Sequence, residues 1–530
     1  MLLAVVAALA TLAARIKIPY PILLVLGGLV LGFVPGLPRI ELEPDVVFLL
    51  FLPPLLYVSA LFTSWRDFRA NLRPISLLAV GLVLMTTCVV AVVTHWALDL
   101  PWAAAFALGA IVSPTDATDA IAATAVAQRL GVPRRIVTIL EGESLVNDAT
   151  GIVAYRIAVA SVGSALSIPQ AGLQFVLGAA GGVAVGLAVG WAILWARRHV
   201  SEDPSVQNTV SLLSPFAAYL LAEEPSNYIW KHILELPGEF AFSGVLSVVV
   251  MGLYVGRRSP YLISPETRLQ GYAFWELVTF LLNGLIFGLI GLQLGRIVER
   301  LADLEYMTGE LILYAGLVSL TVILVRFLWV FPATYLPRWA SRTLRSRDPS
   351  PPARMVVAIS WTGMRGVISL AVALALPLSF PDRELILFLT YGVILSTLVV
   401  QGLSLPALIR ALKIEDDGST DKEEIQGRIG IAGAALSRIE ELSGEDWVRE
   451  DTAERMRGLY TYRHIRFSVR YGDKDDGHED RSAAYQRLMH ELLRAQREEL
   501  IRLRDDGEIG DEAMHRIERD LDLEKARLEV

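Results

Sequence analysis

Glu141-Gly142-Glu143-Ser144-Leu145-Val146-Asn147-Asp148 lies inside an apolar stretch, residues 135–162, that is long enough to cross a bilayer as a helix. Three acids and an asparagine within two helical turns are costly in hydrocarbon. One central charge there costs roughly 2.5 to 3.5 kcal/mol on translocon scales. A membrane protein carries such groups where it binds or moves something. Residues four apart share a helix face, which places Glu143 over Asn147 and Ser144 over Asp148. The result is a polar stripe of carboxylates and short oxygen ligands, a chemistry suited to a hard monovalent cation or a proton.

The rest of the chain supports a membrane setting. Of 530 residues 53% are hydrophobic, and the mean hydropathy of +0.47 exceeds that of soluble domains. Charged residues make up 20% and concentrate after about residue 410. The expected class is therefore an all-α polytopic membrane protein, residues 1–411, followed by a linker, 412–424, and a helical tail, 425–530. The linker reading rests on Glu415-Asp416-Asp417-Gly418-Ser419-Thr420-Asp421. In the tail, 482–507 and 511–528 carry helical periodicity through Leu488, Leu492, Leu493, Leu500 and Leu503. A solvated helical hairpin is the plain reading of that pattern.

Apolar runs predict about thirteen spans: 1–14, 19–35, 45–62, 74–98, 101–127, 135–162, 171–195, 205–222, 240–257, 271–296, 311–336, 354–378 and 384–411. Residues 1–14 lack a basic leading segment, so a retained first helix is expected rather than a signal peptide. Basic residues fall about fourfold more often in one alternate set of loops, from Arg15 through Arg66, Arg134, Arg197 and Arg338 to Lys413. By the positive-inside rule that set is cytoplasmic, with the N-terminus outside and the tail inside. An odd span number agrees with this. The net charge of −8 comes largely from the tail and does not suggest a nucleic-acid partner. The single cysteine, Cys88, excludes an intrachain disulfide and a cysteine-based metal site. No nucleophile elbow, P-loop or zinc-protease motif occurs, so neither an enzyme nor a resident cofactor or metal is expected.

Two further spans carry polar breaks. The fifth holds Ser113-Pro114-Thr115-Asp116-Ala117-Thr118-Asp119. Proline removes a helix hydrogen bond, and irregular backbone at that depth survives only when buried in protein or lining a cavity. The twelfth holds Thr362-Gly363-Met364-Arg365-Gly366, whose arginine needs an acid; Glu143 is the expected partner. These spans lie seven apart, as inverted repeats with two interrupted crossing helices would place them. Glu276 and Arg326 are weaker candidates, and a structural pair between them is the plain guess.

At Glu143-Ser144-Leu145-Val146-Asn147-Asp148 the chain resembles the cation/proton antiporter superfamily, in its Na+/H+ exchanger, NhaP-like branch. Ser113-Pro114-Thr115-Asp116, Phe51-Leu52-Pro53-Pro54-Leu55-Leu56 and Gly363-Met364-Arg365-Gly366 carry the same resemblance, which extends over about residues 15–410. It implies a bacterial plasma-membrane homodimer in which a core moves against a dimer domain, exchanging Na+ for H+, with Li+ and K+ as further candidates. Asp148 would take cation or proton, and Asn147 beside it goes with electroneutral exchange. Ser144, Thr115 and Asp116 would hold the ion or the crossing helices, and Glu143 with Arg365 would form the core ion pair. The pair Thr118 and Asp119 competes for the Thr115–Asp116 position. The acid common after the proline pair is missing; Val58 or Ser59 stands there. A cation channel and an ion-sensing membrane protein are the competing functional classes.

Overall fold

The computed structural model describes residues 2–16, 19–32, 47–115, 132–162, 168–201, 203–228, 241–302, 308–414, 418–471 and 478–528. Among them all regular structure is helical. Two compact units divide the chain, Met1–Asp416 and Asp417–Val530.

The first unit begins with α1 (Leu2–Ile16), α2 (Tyr20–Gly32) and α3 (47–62). A short helix, α4 (Trp65–Ala70), leads into α5 (Leu72–Leu98) and α6 (Trp102–Val112). Next come α7 (Arg134–Ala160), α8 (Ile168–His199), α9 (Pro204–Tyr228), α10 (Gly244–Arg258), α11 (Pro265–Ala302) and α12 (Thr308–Ala340). The unit closes with α13 (Ala353–Trp361), α14 (Val367–Leu374) and α15 (Arg383–Ala411). Helix thus occupies described residues in each of the thirteen expected windows. Among the described residues five helices, those covering Leu72–Leu98, Gly172–His199, Pro265–Gln293, Gly309–Ala340 and Arg383–Ala411, are long and apolar enough to cross a membrane. Helix α7 does not join them, because the polar stripe lowers its hydropathy.

Contacts sort the bundle into two groups. In one, α11 lies along α2, and α10 packs between α3, α8 and α9. In the other, α5, α6 and α7 pack together with α12, α13, α14 and α15. Lipid tails are as apolar as leucine, so such helices associate through close packing and polar bonds instead of hydrophobic gain. Gly291 marks the close approach of α11 to α2: a Cβ there would lie 2.4 Å from the Val25 carbonyl oxygen and 2.6 Å from Gly28 Cα. In α3, Pro53 and Pro54 cannot donate backbone hydrogen bonds, and the preceding turn, Val47–Phe51, widens to π-helical geometry.

A charged cluster ties one end of the second group. Arg135 and Arg338 each place a guanidinium nitrogen 2.6 Å from Asp348, and Arg134 lies 2.6 Å from Asp67. Burial raises the Asp348 carboxyl, but the hydrogen bond and charge of Arg135, joined by those of Arg338, outweigh it and hold the group below its ordinary value. The stabilisation is therefore present above the unfolded-state value, about 3.9, and is lost as pH falls through the lower folded-state value. Asp348→Ala should lower stability by about 1–2 kcal/mol, a figure kept small by partial solvent screening. The loss should stay constant from pH 6 to 8 in thermal unfolding.

The second unit contains α16 (Ser419–Leu442), α17 (Glu450–Tyr471), α18 (His478–Asp505) and α19 (Asp511–Leu528). Helix α16 starts inside the stretch expected as linker, with Asp421 in its first turn, where an acid favours the helix dipole. Helices α16 and α17 pack as one hairpin and α18 and α19 as another. The second buries Leu493, Leu500, Met514 and Leu521, while Leu488 and Leu492 stay exposed.

Candidate functional site

Pro114 ends α6. Having no N–H, it leaves the Ala110 carbonyl without its helical donor, and Ser113 Oγ donates to that oxygen instead at 3.0 Å. Thr115 follows, buried, and its hydroxyl donates to Glu143 Oε1 on α7 at 3.0 Å. Asn147, one turn beyond Glu143, donates through Nδ2 to the Thr115 carbonyl at 2.8 Å and to its hydroxyl at 2.7 Å. Donor directions agree along the whole chain, from Asn147 through Thr115 to Glu143. The amide orientation follows from that network, which leaves Asn147 Oδ1 buried and, among the described residues, without a hydrogen-bond partner.

The break between α13 and α14 covers residues 362–366. The Gly363 N–H bonds to Trp361 O, so the Ile359 carbonyl loses its helical donor. The Thr362 hydroxyl donates to that oxygen at 3.0 Å, and Arg326, from the middle of α12, adds its Nε at 3.1 Å. The same guanidinium then meets Glu143 as a fork, Nη1 to Oε1 at 2.5 Å and Nη2 to Oε2 at 2.8 Å. The two side chains are only 1% and 2% exposed. A bidentate pair of this kind satisfies both carboxylate oxygens, which a buried charge requires.

Glu143 therefore pairs with Arg326, not with Arg365 as expected from the sequence. The guess of a Glu276–Arg326 pair falls for the same reason, and Glu276 lies exposed on α11. Arg365 takes another course. Its Nη1 donates to the Ser113 carbonyl at the end of α6, and its backbone N–H donates to Thr397 Oγ1 at 3.1 Å. Among the described residues its Nε and Nη2 have no partner, and neither polar atom of the Gln401 side chain has one. The two interrupted segments thus meet directly, through one guanidinium and the carbonyl at the end of α6.

Ser144 and Asp148 sit on the adjacent face of α7 and are both buried, Asp148 at 2% exposure. Asp116, Thr118 and Asp119 lie outside the described residues. Arg156, further along α7, pairs with Glu223 of α9 at 2.8 Å. Sequence reasoning placed Arg326 among the weaker candidates, although a lone arginine in the centre of a 33-residue apolar helix needs an acid as much as Arg365 does. Thr397 and Gln401 offered no signal, since single polar residues are common in such helices.

Glycine at 363 is a packing requirement. A Cβ there would come within 2.8 Å of Arg326 Cδ. Gly363→Ala should push the guanidinium off its fork and lower stability by about 1–3 kcal/mol, as overpacking does. The unfolding midpoint in detergent checks this. An unchanged midpoint would mean that Arg326 has room to move.

Comparison with known proteins decides the family. Residues 1–411 match the model of the transmembrane sodium/hydrogen exchanger. The chain belongs to the sodium/hydrogen exchanger family. An uncharacterized Na+/H+ exchanger of Mycobacterium bovis is 34% identical to this exchanger over 529 residues, covering 98% of this chain and 93% of its own. A sodium, potassium, lithium and rubidium/H+ antiporter of Bacillus pumilus is 36% identical over 408 residues, 74% of this chain and 58% of its own. The solved sodium proton antiporter of Methanocaldococcus jannaschii shares the fold of this exchanger. It aligns with a TM-score of 0.60 at 20% identity, covering 78% of this chain and 96% of that one.

Proposed function

We propose that this chain exchanges Na+ for H+ across the plasma membrane, one ion at a time, at Asp148. The observation that carries the reading is the division of labour between two buried acids on α7. Glu143 has both oxygens committed to Arg326 and Thr115. It is the structural acid, and its charge is already balanced. Asp148 lies about 7.5 Å further along the helix axis, at 1.5 Å per residue. It is the exchangeable acid, with Ser144 on its own face and the unpartnered Asn147 Oδ1 next to it in the chain. Asn147 and Thr115, with Asp116, complete an oxygen set that suits a hard cation. A proton and Na+ compete for one carboxylate, and that competition couples the two gradients without ATP.

Thirteen crossings, the N-terminus outside, the tail in the cytoplasm and a homodimer complete the proposal. The two packing groups are the natural candidates for a moving core and a dimer scaffold, with alternating access as the core shifts. Asn147 in place of a second acid supports electroneutral exchange. The test is a pH-sensitive dye in proteoliposomes, with Na+, Li+ and K+ pulsed in turn. Proton movement should follow Na+ and remain unchanged when a K+ ionophore clamps the membrane potential. A rate that follows the imposed potential would overturn electroneutrality. A cation flux with no pH change would point to a channel.

A further inference from the structure

We infer that a cavity remote from the α7 site binds a phosphate-class anion. It lies among the ends of α3, α8 and α10 and the first halves of α9 and α11, and its volume is about 260 Å³. None of its lining comes from α6, α7 or α12 to α15. That size is below the roughly 300–1,000 Å³ of pockets for drug-sized ligands and suits a small anion or a lipid headgroup.

The lining includes two arginines, Arg197 and Arg268, and no acid. Arg197 sits in the last turn of α8 and is 7% exposed. Among the described residues it has no ion-pair partner, and its Nε is buried without a hydrogen-bond partner. A buried guanidinium in that state calls for a counter-charge. Arg268 also lines the cavity and is exposed; it donates through Nη2 to the Ile263 carbonyl at 3.2 Å and to the Pro260 carbonyl at 3.4 Å. Both it and Thr267 belong to the first turn of α11, where Ser264 takes the Thr267 and Arg268 N–H groups, so that turn adds only its dipole, partly offset by Glu266. Ser211 lies on the floor, held by Trp275 Nε1 at 3.1 Å and by the Tyr57 hydroxyl at 3.2 Å. A buried arginine and an exposed arginine thus line one space.

The ligand class follows from these donors. Guanidinium forks match phosphate oxygens, and basic pockets between membrane helices take anionic headgroups on the cytoplasmic side. The proposed topology puts this cavity on that side. Two sources share the chemistry: free phosphate and the headgroup of an anionic phospholipid.

Thermal unfolding of the purified full chain in neutral detergent separates them. One arm compares sodium phosphate with sodium chloride at matched Na+ and ionic strength. The other compares short-chain phosphatidic acid with phosphatidylcholine of equal chain length. At least one anion should raise the midpoint by a few degrees. An effect of both, or of phosphate alone, identifies a soluble anion; an effect of phosphatidic acid alone identifies a headgroup. Arg197→Gln should abolish the shift. Arg268→Gln, on the exposed wall, should fold normally and weaken half-saturation about tenfold, as loss of one charged hydrogen bond would. Asp148→Asn should keep the full shift, which separates this site from the transport reading. Absence of any shift with both anions overturns the inference, as does an unchanged response in Arg197→Gln or an unchanged half-saturation in Arg268→Gln.

Discussion

Asp148→Asn should abolish Na+-driven proton movement in proteoliposomes while the protein still folds. The expected loss is at least about a hundredfold, corresponding to roughly 3 kcal/mol of binding at the site. The substitution keeps the shape of the side chain and removes one property, the capacity to hold either a proton or a cation on the same oxygens. A neutral amide does not titrate in the working range, so it cannot exchange one ion for the other. Folding should survive because asparagine keeps the size and polarity of the side chain and leaves the Glu143 ion pair in place. The Glu143–Arg326 fork and the Asn147–Thr115–Glu143 chain are complete without it. Thermal unfolding in detergent provides the control, with a midpoint within a few degrees of the parent. A folded variant that still drove protons out against entering Na+ would move the exchangeable acid elsewhere, and Asp116 would then be the first alternative.

How far the sequence could reach is clear from particular residues. The helices were legible because a bilayer imposes a length of about 20 apolar residues on anything that crosses it. The breaks at Pro114 and at residues 362–366 were legible because proline and paired glycines act locally. The polar stripe on α7 was legible because helical spacing alone puts its members on neighbouring faces. The partner of Glu143 was not. Arg326 and Arg365 both lie deep in apolar helices, and no periodicity tells which guanidinium meets a given carboxylate. That choice depends on which carbonyls the breaks set free. Ile359 O attracts Arg326, and Ser113 O attracts Arg365. In the tail, α18 and α19 show leucine at helical spacing. The preceding hairpin of α16 and α17 has small and charged residues in most of its turns, so no leucine stripe marks it in the sequence.

The reassigned ion pair yields the second large effect. Arg326→Met leaves the Glu143 carboxylate buried opposite a thioether, and Glu143→Gln leaves the Arg326 guanidinium opposite a neutral amide. Each single change should lower stability by about 3–5 kcal/mol, the usual result of stripping one partner from a buried pair. The double variant should recover a large part of that loss, because neither uncompensated charge remains. A coupling energy of about 2–3 kcal/mol in the double-mutant cycle is therefore expected from unfolding measurements at one pH and one detergent concentration. The matching cycle between Glu143 and Arg365 distinguishes the two assignments. Arg365 feels the Glu143 charge but donates its hydrogen bond to Ser113 O, so its coupling to Glu143 should stay below about 1 kcal/mol. If the Arg365 cycle gave the larger coupling, the fork on α12 would be the wrong pair. The charge that steadies the core would then come from the break between α13 and α14, and any movement of that break would change the electrostatics of the α7 site directly. With Arg326 as the partner, the balancing charge sits on an unbroken helix. Glu143 then stays neutralised throughout, which leaves the proposed one-for-one exchange to a single further acid.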